Sequence, residues 1–282
     1  MDNFVNQIIC GDNVELLRQL PDGCIDLTVT SPPYDDLRTY KGFAFDFENL
    51  ANELYRVTKD GGVVVWVVND ATVDGSETLT SFKQAIYFRE VCGFNLHDTM
   101  IFQKNSYVFP PHVRYYGVFE YMFVFSKGIP KTINLIRVPT KFQKAPINAS
   151  GGRERDGRVH IWKYDMGKET RIADNVWVYN VGSNCTADSE AYGHPAIFPE
   201  QLARDHIISW SNPGDLVLDP FSGSGTTAKV ALLEGRNYLG LDISSEYCEI
   251  AKQRINKAKV GTESVTVAVN GGKKIKQRSL IV

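Results

Sequence analysis

The stretch Thr30-Ser31-Pro32-Pro33-Tyr34 carries groups suited to chemistry on an amino group. Two successive prolines fix two φ angles and remove two N–H donors, which holds the neighbouring carbonyls and the Ser31 hydroxyl in set directions. Such acceptors can grip the hydrogens of an aromatic amino group and restore its lone pair for attack. Tyr34 adds a flat face beside them. The other interpretation of these residues alone is a strand that ends in a proline turn.

A second stretch has the spacing of a nucleoside-binding turn. After the apolar run 216–218, Gly223, Gly225 and Ala228 fit the pattern G-x-G-x-x-A, in which the glycines let the backbone turn and approach a ligand. Asp242 ends the next apolar run, about 20 residues beyond the turn, where such folds place an acid on ribose hydroxyls. These residues predict a nucleoside cofactor but leave hydride transfer and methyl transfer open.

The elements that must position both stretches alternate along the chain between helical and strand-like spacing. This alternation is typical of an α/β fold with a doubly wound, mainly parallel sheet. Helices are predicted over 13–20, 47–57 and 81–92, and strands over 6–10, 25–29, 63–68, 99–104, 120–126, 216–219 and 237–241.

Composition limits the cellular location and the binding partners that the sequence allows. The chain has 282 residues, 43% of them hydrophobic, and a net charge of -2, which does not by itself indicate a polyanion partner. Its five cysteines are scattered without metal-ligand spacing, which predicts reduced thiols, no metal site and a cytoplasmic location. The sequence shows no targeting segment, and its longest apolar run, 63–68, is too short to span a bilayer.

In combination, the two motifs resemble those of the β-class DNA amino-methyltransferases. The pair consists of Asp219-Pro220-Phe221-Ser222-Gly223-Ser224-Gly225 and the earlier Thr30-Ser31-Pro32-Pro33-Tyr34. The resemblance covers residues 6 to about 258, and the order, with the catalytic motif first, is that of the β class. It implies a Rossmann-like sheet and methyl transfer from S-adenosylmethionine to N6 of adenine or N4 of cytosine in double-stranded DNA. It also implies a flipped target base and a homodimer.

The target base is left open by the residues themselves. Ser31 at the first position of its motif occurs in both branches of the family, so adenine is preferred only slightly, on family frequency. From other functional classes, a DNA-binding module with a vestigial cofactor site and a nicotinamide oxidoreductase remain alternatives, which a cofactor-binding measurement separates.

The resemblance assigns roles residue by residue. Phe198 departs from relatives that carry Lys at this position, which removes one ion pair to the cofactor carboxylate. Asp12, Asp219 and Thr226 also have a simpler interpretation as helix-capping residues. The implied catalytic residues are Ser31, Pro32, Pro33 and Tyr34; the implied cofactor-binding residues are Asp12, Phe198, Asp219, Phe221, Gly223, Ser224, Gly225, Thr226, Asp242 and Ile243.

The resemblance also suggests a division of the chain. It predicts a catalytic half over 1–104, a target-recognition insertion over 105–190, a cofactor-binding half over 191–258 and a hairpin-like tail over 259–282. The insertion is basic and aromatic, as phosphate contacts and base stacking require, although a solvated, loop-rich excursion is the alternative. Its predicted DNA-binding residues are Tyr107, Arg114, Tyr115, Lys141, Arg153, Arg155 and Arg158.

Overall fold

A computed structural model of the chain describes residues 1, 3–33, 46–105, 113–140, 150–162, 169–181 and 198–270. The chain divides into two compact units, the first comprising Met1–Asn134 and Asn175–Val282 and the second Leu135–Asp174. The first unit contains the central sheet and all the helices found in the described ranges.

The helices and strands have the following bounds. The strands are β1 (Gln7–Cys10), β2 (Ile25–Thr30), β3 (Thr58–Val68), β4 (Thr72–Val73), β5 (Ser76–Glu77), β6 (Asn95–Lys104), β7 (Phe119–Ser126), β8 (Arg137–Pro139), β9 (Ser150–Arg153), β10 (Val159–Trp162), β11 (Thr170–Ile172), β12 (Val176–Tyr179), β13 (Leu216–Asp219) and β14 (Asn237–Asp242). The helices are α1 (Asn13–Leu17), α2 (Phe47–Val57), α3 (Thr80–Tyr87), which continues as a π-helical turn over Phe88–Cys92, α4 (Glu200–Trp210), α5 (Thr226–Leu233) and α6 (Ser245–Asn270).

The central sheet has the strand order β1-β14-β13-β2-β3-β7-β6-β12. Its pairs are parallel except that β7 runs antiparallel to β3 and β6. The predicted doubly wound, mainly parallel α/β fold is therefore confirmed. Strands β2 and β13 are parallel neighbours although nearly 190 residues separate them, with Leu27 opposite Val217 and Thr28 opposite Leu218.

Hydrophobic residues cover both faces of this sheet. In β3, Val63 and Val65 point to the core under α4, α5 and α6, while Val64 and Trp66 point to the core under α1, α2 and α3. Successive strand residues face opposite sides, so a strand buried on both faces reads as a continuous apolar run. That burial explains why the run 63–68 carries no polar residue.

The second unit, taken by itself, contains two antiparallel strand pairs, β8 with β11 and β9 with β10. It lies within the region predicted to be a target-recognition insertion, 105–190, but is shorter. The predicted domain boundaries and the recognition role stay predictions.

The C-terminal region differs from the predicted hairpin. The alternation of Val265, Val267 and Val269 predicted a strand, whereas α6 continues through these positions to Asn270. Extending a helix adds one hydrogen bond for each residue that is fixed, whereas a new strand needs a partner. The turn and basic run over 271–282 lie outside the described residues.

Candidate active site

The two motifs meet where β2 and β13 end side by side. The Thr30 hydroxyl, at the end of β2, donates a hydrogen bond of 2.7 Å to Asp219 Oδ1 at the end of β13. From this pair the chain winds outward in opposite directions, through β3 on one side and β14 on the other. In open α/β sheets, the carboxyl ends of strands at such a reversal form the ligand-binding crevice.

Asp219 is a buried acid, with only 5% of its surface exposed. Burial raises the pKa of its carboxyl group to about 6, against the opposing effect of hydrogen bonds from Thr30, Thr227 and the Phe221 N–H. The nearby Asp242 charge raises the pKa further. The carboxylate therefore joins the two motifs from inside the protein, and a direct cofactor contact by Asp219 stays a prediction.

The predicted catalytic residues follow directly on Thr30. Ser31 and Pro33 are half-buried and Pro32 is buried. The Thr30 contact with Asp219 fixes the strand end from which Ser31 projects. Tyr34 lies outside the described residues, and the catalytic roles of all four residues stay predictions.

Asp242, at the end of β14, holds the glycine turn. Its Oδ2 accepts the Gly223 N–H at 2.7 Å and its Oδ1 accepts the Ser244 N–H at 2.9 Å. The side chain is half-buried, and a carboxylate oxygen can accept more than one hydrogen bond. A ribose contact by Asp242 is compatible with this geometry.

Gly225 allows the turn to pack tightly against α6. Its φ is +78°, and a Cβ at this position would lie 2.6 Å from Ala251 Cβ. Real carbon atoms cannot approach so closely without displacing one another. Only glycine fits both the left-handed backbone and the packing here.

Asp12 and Ile243 flank the same strand end. The Gly11 N–H donates to the Asp242 carbonyl at 2.9 Å, which places the β1 end beside β14. Asp12 caps α1 by accepting the Glu15 N–H at 3.0 Å, so the simpler interpretation of this acid is correct, and its cofactor contact stays a prediction. Ile243 is 44% exposed, and its contact with a cofactor stays a prediction.

The two aromatic residues that are predicted to bind the cofactor pack on opposite faces of the central sheet. Phe221 packs partly buried against the core cluster that contains Trp66, with ring centroids 6.4 Å apart. Phe198 packs partly buried against the other cluster, just before α4. Their contacts with a cofactor stay predictions.

Sequence reasoning missed Arg254. This arginine of α6 donates to the Ser224 carbonyl at 2.6 Å, to Ser224 Oγ at 3.0 Å and to Thr226 Oγ1 at 3.2 Å. The predicted cofactor residues Ser224 and Thr226 are themselves buried. The available signal was an arginine at helical spacing from Ala251 and Cys248, on the buried face of α6.

The donors and acceptors at this crevice fit S-adenosylmethionine. The first N–H groups of α5 follow Gly225, and the amino end of a helix favours an anion such as a carboxylate. The half-buried Asp242 carboxylate suits hydroxyl groups. The exposed Ile243 suits an aromatic ring. An acid, backbone amides and an apolar surface therefore match the hydroxyl groups, the carboxylate and the aromatic ring of a nucleoside that carries an amino-acid tail.

The predicted DNA-binding residues lie in both units. Arg153, Arg155 and Arg158 are exposed around the turn between β9 and β10, where Arg158 pairs with Asp156 at 2.9 Å. In the first unit, Tyr115 is fully exposed. These residues are accessible, and their contacts with DNA stay predictions.

Arg114 is held by the short β4–β5 hairpin. It donates to the Gly75 carbonyl and lies 3.8 Å from the Glu77 carboxylate. A contact of Arg114 with DNA stays a prediction. Tyr107 and Lys141 lie outside the described residues.

The described ranges hold neither a metal-binding cluster nor a membrane-spanning helix. They contain no group of three or more His, Cys, Asp or Glu arranged to hold a metal ion. No helix within them is both long and apolar enough to cross a bilayer.

Comparison with known proteins gives consistent matches. A family model described as DNA methylase, N6_N4_Mtase, matches residues 25–253. The orphan methyltransferase M.BamHII of Bacillus amyloliquefaciens is 58% identical over 238 residues, which cover 83% of this chain and 89% of the relative.

Solved structures show the same fold. The PvuII DNA methyltransferase (cytosine-N4-specific) has a TM-score of 0.65 at 22% identity, with 88% of this chain and 85% of that chain covered. The DNA modification methylase TTHA0409 of Thermus thermophilus, complexed with S-adenosyl-L-methionine, has a TM-score of 0.58 at 23% identity, with 90% and 96% covered.

Proposed function

The chain belongs to the N6_N4_Mtase family of DNA methylases, and from this membership we propose which residues transfer the methyl group and how. It is a DNA methyltransferase, and its cofactor is S-adenosylmethionine. The proposed reaction transfers the cofactor's methyl group to the exocyclic amino group of a base in a specific duplex sequence. Adenine N6 and cytosine N4 present the same N–H donors to the site, so one mechanism serves either base.

One contact supports the proposed site above the others. The hydrogen bond between Thr30 and Asp219 joins the strand end that precedes Ser31 to the strand end that precedes the glycine turn. A methyl donor held by the turn and an amino group held by Ser31 and Pro32 would thus lie in one crevice. Placing two reactants together in this way supplies a large part of the rate enhancement.

The chain's own residues act by binding and orientation. When bound, S-adenosylmethionine supplies a methyl group on a positively charged sulfur. Ser31 Oγ and the Pro32 carbonyl accept the hydrogens of the target amino group, and Tyr34 stacks on the base. As the new N–C bond forms and the methyl–sulfur bond breaks, the nitrogen becomes positive, and these acceptors stabilise that charge until the nitrogen loses its extra proton to water. No covalent bond to the protein is required.

A base in a duplex must leave the stack before it can enter this crevice, at a cost of a few kcal/mol. DNA contacts have to supply that free energy. The exposed Arg153, Arg155 and Arg158 are suited to phosphates, which supports a target-recognition role for the second unit.

We further propose a homodimer in the cytoplasm, and light scattering after gel filtration would contradict the dimer if it gave the monomer mass of 31.6 kDa.

The decisive experiment incubates the protein with labelled S-adenosylmethionine and unmethylated mixed-sequence DNA, followed by digestion to nucleosides and mass analysis. Labelled N6-methyladenine, which the sequence slightly favours, or N4-methylcytosine would support the reaction and identify the base. Label in RNA or in no nucleic acid would overturn the proposed substrate. The control is Tyr34→Ala, which should bind the cofactor normally and lose most turnover; full activity would refute the Tyr34 role.

A further inference from the structure

Arg254 is a charged side chain in the hydrophobic interior of the first unit. Its side chain is fully buried, and its neighbours on the same face of α6, Ala251 and Ile255, belong to the core. A guanidinium group is costly to remove from water unless it is paired and hydrogen-bonded. Its partners should therefore indicate what it does.

Those partners lie on the two sides of Gly225, within the glycine turn, and at the start of another helix. One nitrogen, Nη1, donates hydrogen bonds to the Ser224 carbonyl, Ser224 Oγ and Thr226 Oγ1. These two residues flank Gly225. The other, Nη2, donates to Glu200 Oε1 at 3.1 Å. Glu200 is the first residue of α4, two residues after Phe198. One side chain thus connects α6, the turn and α4.

We propose that Arg254 is a positioning residue for cofactor binding. By fixing the Ser224 carbonyl and the Thr226 hydroxyl, it sets the direction of the N–H groups at the start of α5. By pairing with Glu200, it sets the start of α4 and with it the segment that contains Phe198. This inference rests on the proposed function, which assigns both segments to S-adenosylmethionine.

The shape of the guanidinium group explains why this position holds arginine. Its planar fork presents several N–H donors in fixed directions, whereas a lysine ammonium is a compact charge on a flexible stem. A lysine at 254 could pair with Glu200 but could not also bridge Ser224 and Thr226 in the same geometry. Glu200 already accepts from Lys229 Nζ at 2.9 Å, so the distinctive contribution of Arg254 is its contact with the turn.

A second buried arginine supplies a matched control. Arg236 donates to the Ser211 carbonyl at 2.6 Å, to Ser211 Oγ at 3.1 Å and to the Glu234 carbonyl at 2.6 Å. It precedes β14 and so lies at the end of the sheet opposite to Asp242. Replacing it removes a buried guanidinium that holds backbone carbonyls, without altering the glycine turn.

The test compares Arg254→Met, Arg254→Lys and Arg236→Met with the wild type. Calorimetry measures the Kd for S-adenosylmethionine, thermal unfolding measures stability, and hydrogen exchange of the ligand-free protein measures protection over residues 222–227. Both methionine variants should unfold at lower temperature. We expect Arg254→Met to weaken cofactor binding about tenfold, the equivalent of one charge-assisted hydrogen bond, and to exchange faster over the turn. Arg254→Lys should be intermediate, and Arg236→Met should bind like the wild type.

Kinetics add a second criterion. In Arg254→Met the KM for S-adenosylmethionine should rise by a larger factor than kcat falls, while the KM for DNA stays unchanged. Wild-type affinity and exchange in folded Arg254→Met, or equal weakening in Arg236→Met, would overturn the inference. Should Arg254→Met fail to fold, wild-type affinity in Arg254→Lys would overturn it. A wild-type protein that binds no S-adenosylmethionine would instead refute the proposed function, and the inference with it.

Discussion

Thr30 and Asp219 are 189 positions apart in the chain, yet the Thr30 hydroxyl donates to the Asp219 carboxylate at 2.7 Å inside the protein. Each residue ends a strand, and each is followed at once by a motif to which we assign chemistry. The hydrogen bond therefore fixes the position of the proposed amino-group site relative to the proposed cofactor site. Its acceptor is a carboxyl group whose pKa burial raises to about 6, so the contact should respond to pH.

The first prediction concerns that pH dependence. Because the pKa of Asp219 is higher in the folded protein than its usual value of 3.8, the folded state holds more protons than the unfolded state between pH 4 and 6. The free energy of unfolding from this group therefore falls as pH rises through that window, by about 3 kcal/mol in total. Asp219→Asn lacks the titration, so urea unfolding of the ligand-free proteins should show the wild type losing stability relative to the variant between pH 4 and 7.

Thr30→Val tests the same contact from the other side. The hydroxyl lowers the pKa of Asp219, so its removal should raise that pKa further and move the wild-type decline in stability to higher pH. At pH 7, where a carboxylate would lose a donor, the variant should be less stable by about 2 kcal/mol. Equal pH profiles for Asp219→Asn and the wild type, or an unshifted profile for Thr30→Val, would contradict the assigned link.

The second prediction concerns the packing of the glycine turn. Gly225→Ala places a methyl group 2.6 Å from Ala251 Cβ in addition to a strained φ of +78°, whereas Gly75→Ala has a φ of +80° and no atom within 4 Å. We expect Gly75→Ala to cost about 1 kcal/mol from backbone strain alone. Gly225→Ala should cost a further 1–3 kcal/mol, roughly, from overlap and should weaken binding of S-adenosylmethionine. Equal losses of stability in the two variants would show that α6 moves away from residue 225 and relieves the overlap.

Sequence reasoning could predict that both motifs follow strands, because turn residues come after the two apolar runs 25–29 and 216–218. It could also place both ends at one edge of a parallel sheet. It could not predict that β2 and β13 are neighbours, because strand order depends on long-range pairing between segments nearly 190 residues apart. That adjacency creates the Thr30 contact.

Two further features were hidden from the sequence for different physical reasons. Arg254 shares the apolar face of α6 with Cys248 and Ala251, but that spacing does not reveal its partners on the turn and on α4. The alternating valines at 265, 267 and 269 have the period of a strand, yet they continue α6. In the first case tertiary contacts decide the role of a residue, and in the second the preceding helix decides the local structure.

The third prediction concerns Asp242. Asp242→Ala removes the acceptor for the Gly223 N–H and the proposed acceptor for ribose hydroxyls, so affinity for S-adenosylmethionine should fall by about 10- to 100-fold. Asp215→Ala is the control, because Asp215 is also half-buried and accepts the Asn212 N–H at 2.7 Å at the opposite end of the sheet. Calorimetry should show normal cofactor binding by the control. Unchanged affinity in Asp242→Ala would refute the ribose assignment.

The fourth prediction concerns the exposed arginines of the second unit. Replacing Arg153, Arg155 and Arg158 with Gln should weaken DNA binding and reduce the dependence of log K on log salt by about 0.9 for each phosphate that is no longer neutralised. The control replaces three exposed basic residues of the first-unit helices with Gln, which gives the same change in net charge: Lys83, Arg89 and Lys252. Fluorescence anisotropy with duplex DNA between about 50 and 200 mM salt measures both slopes. A slope that falls equally in both triple variants would indicate a general effect of net charge, and an unchanged slope in the arginine variant would exclude these residues from phosphate binding.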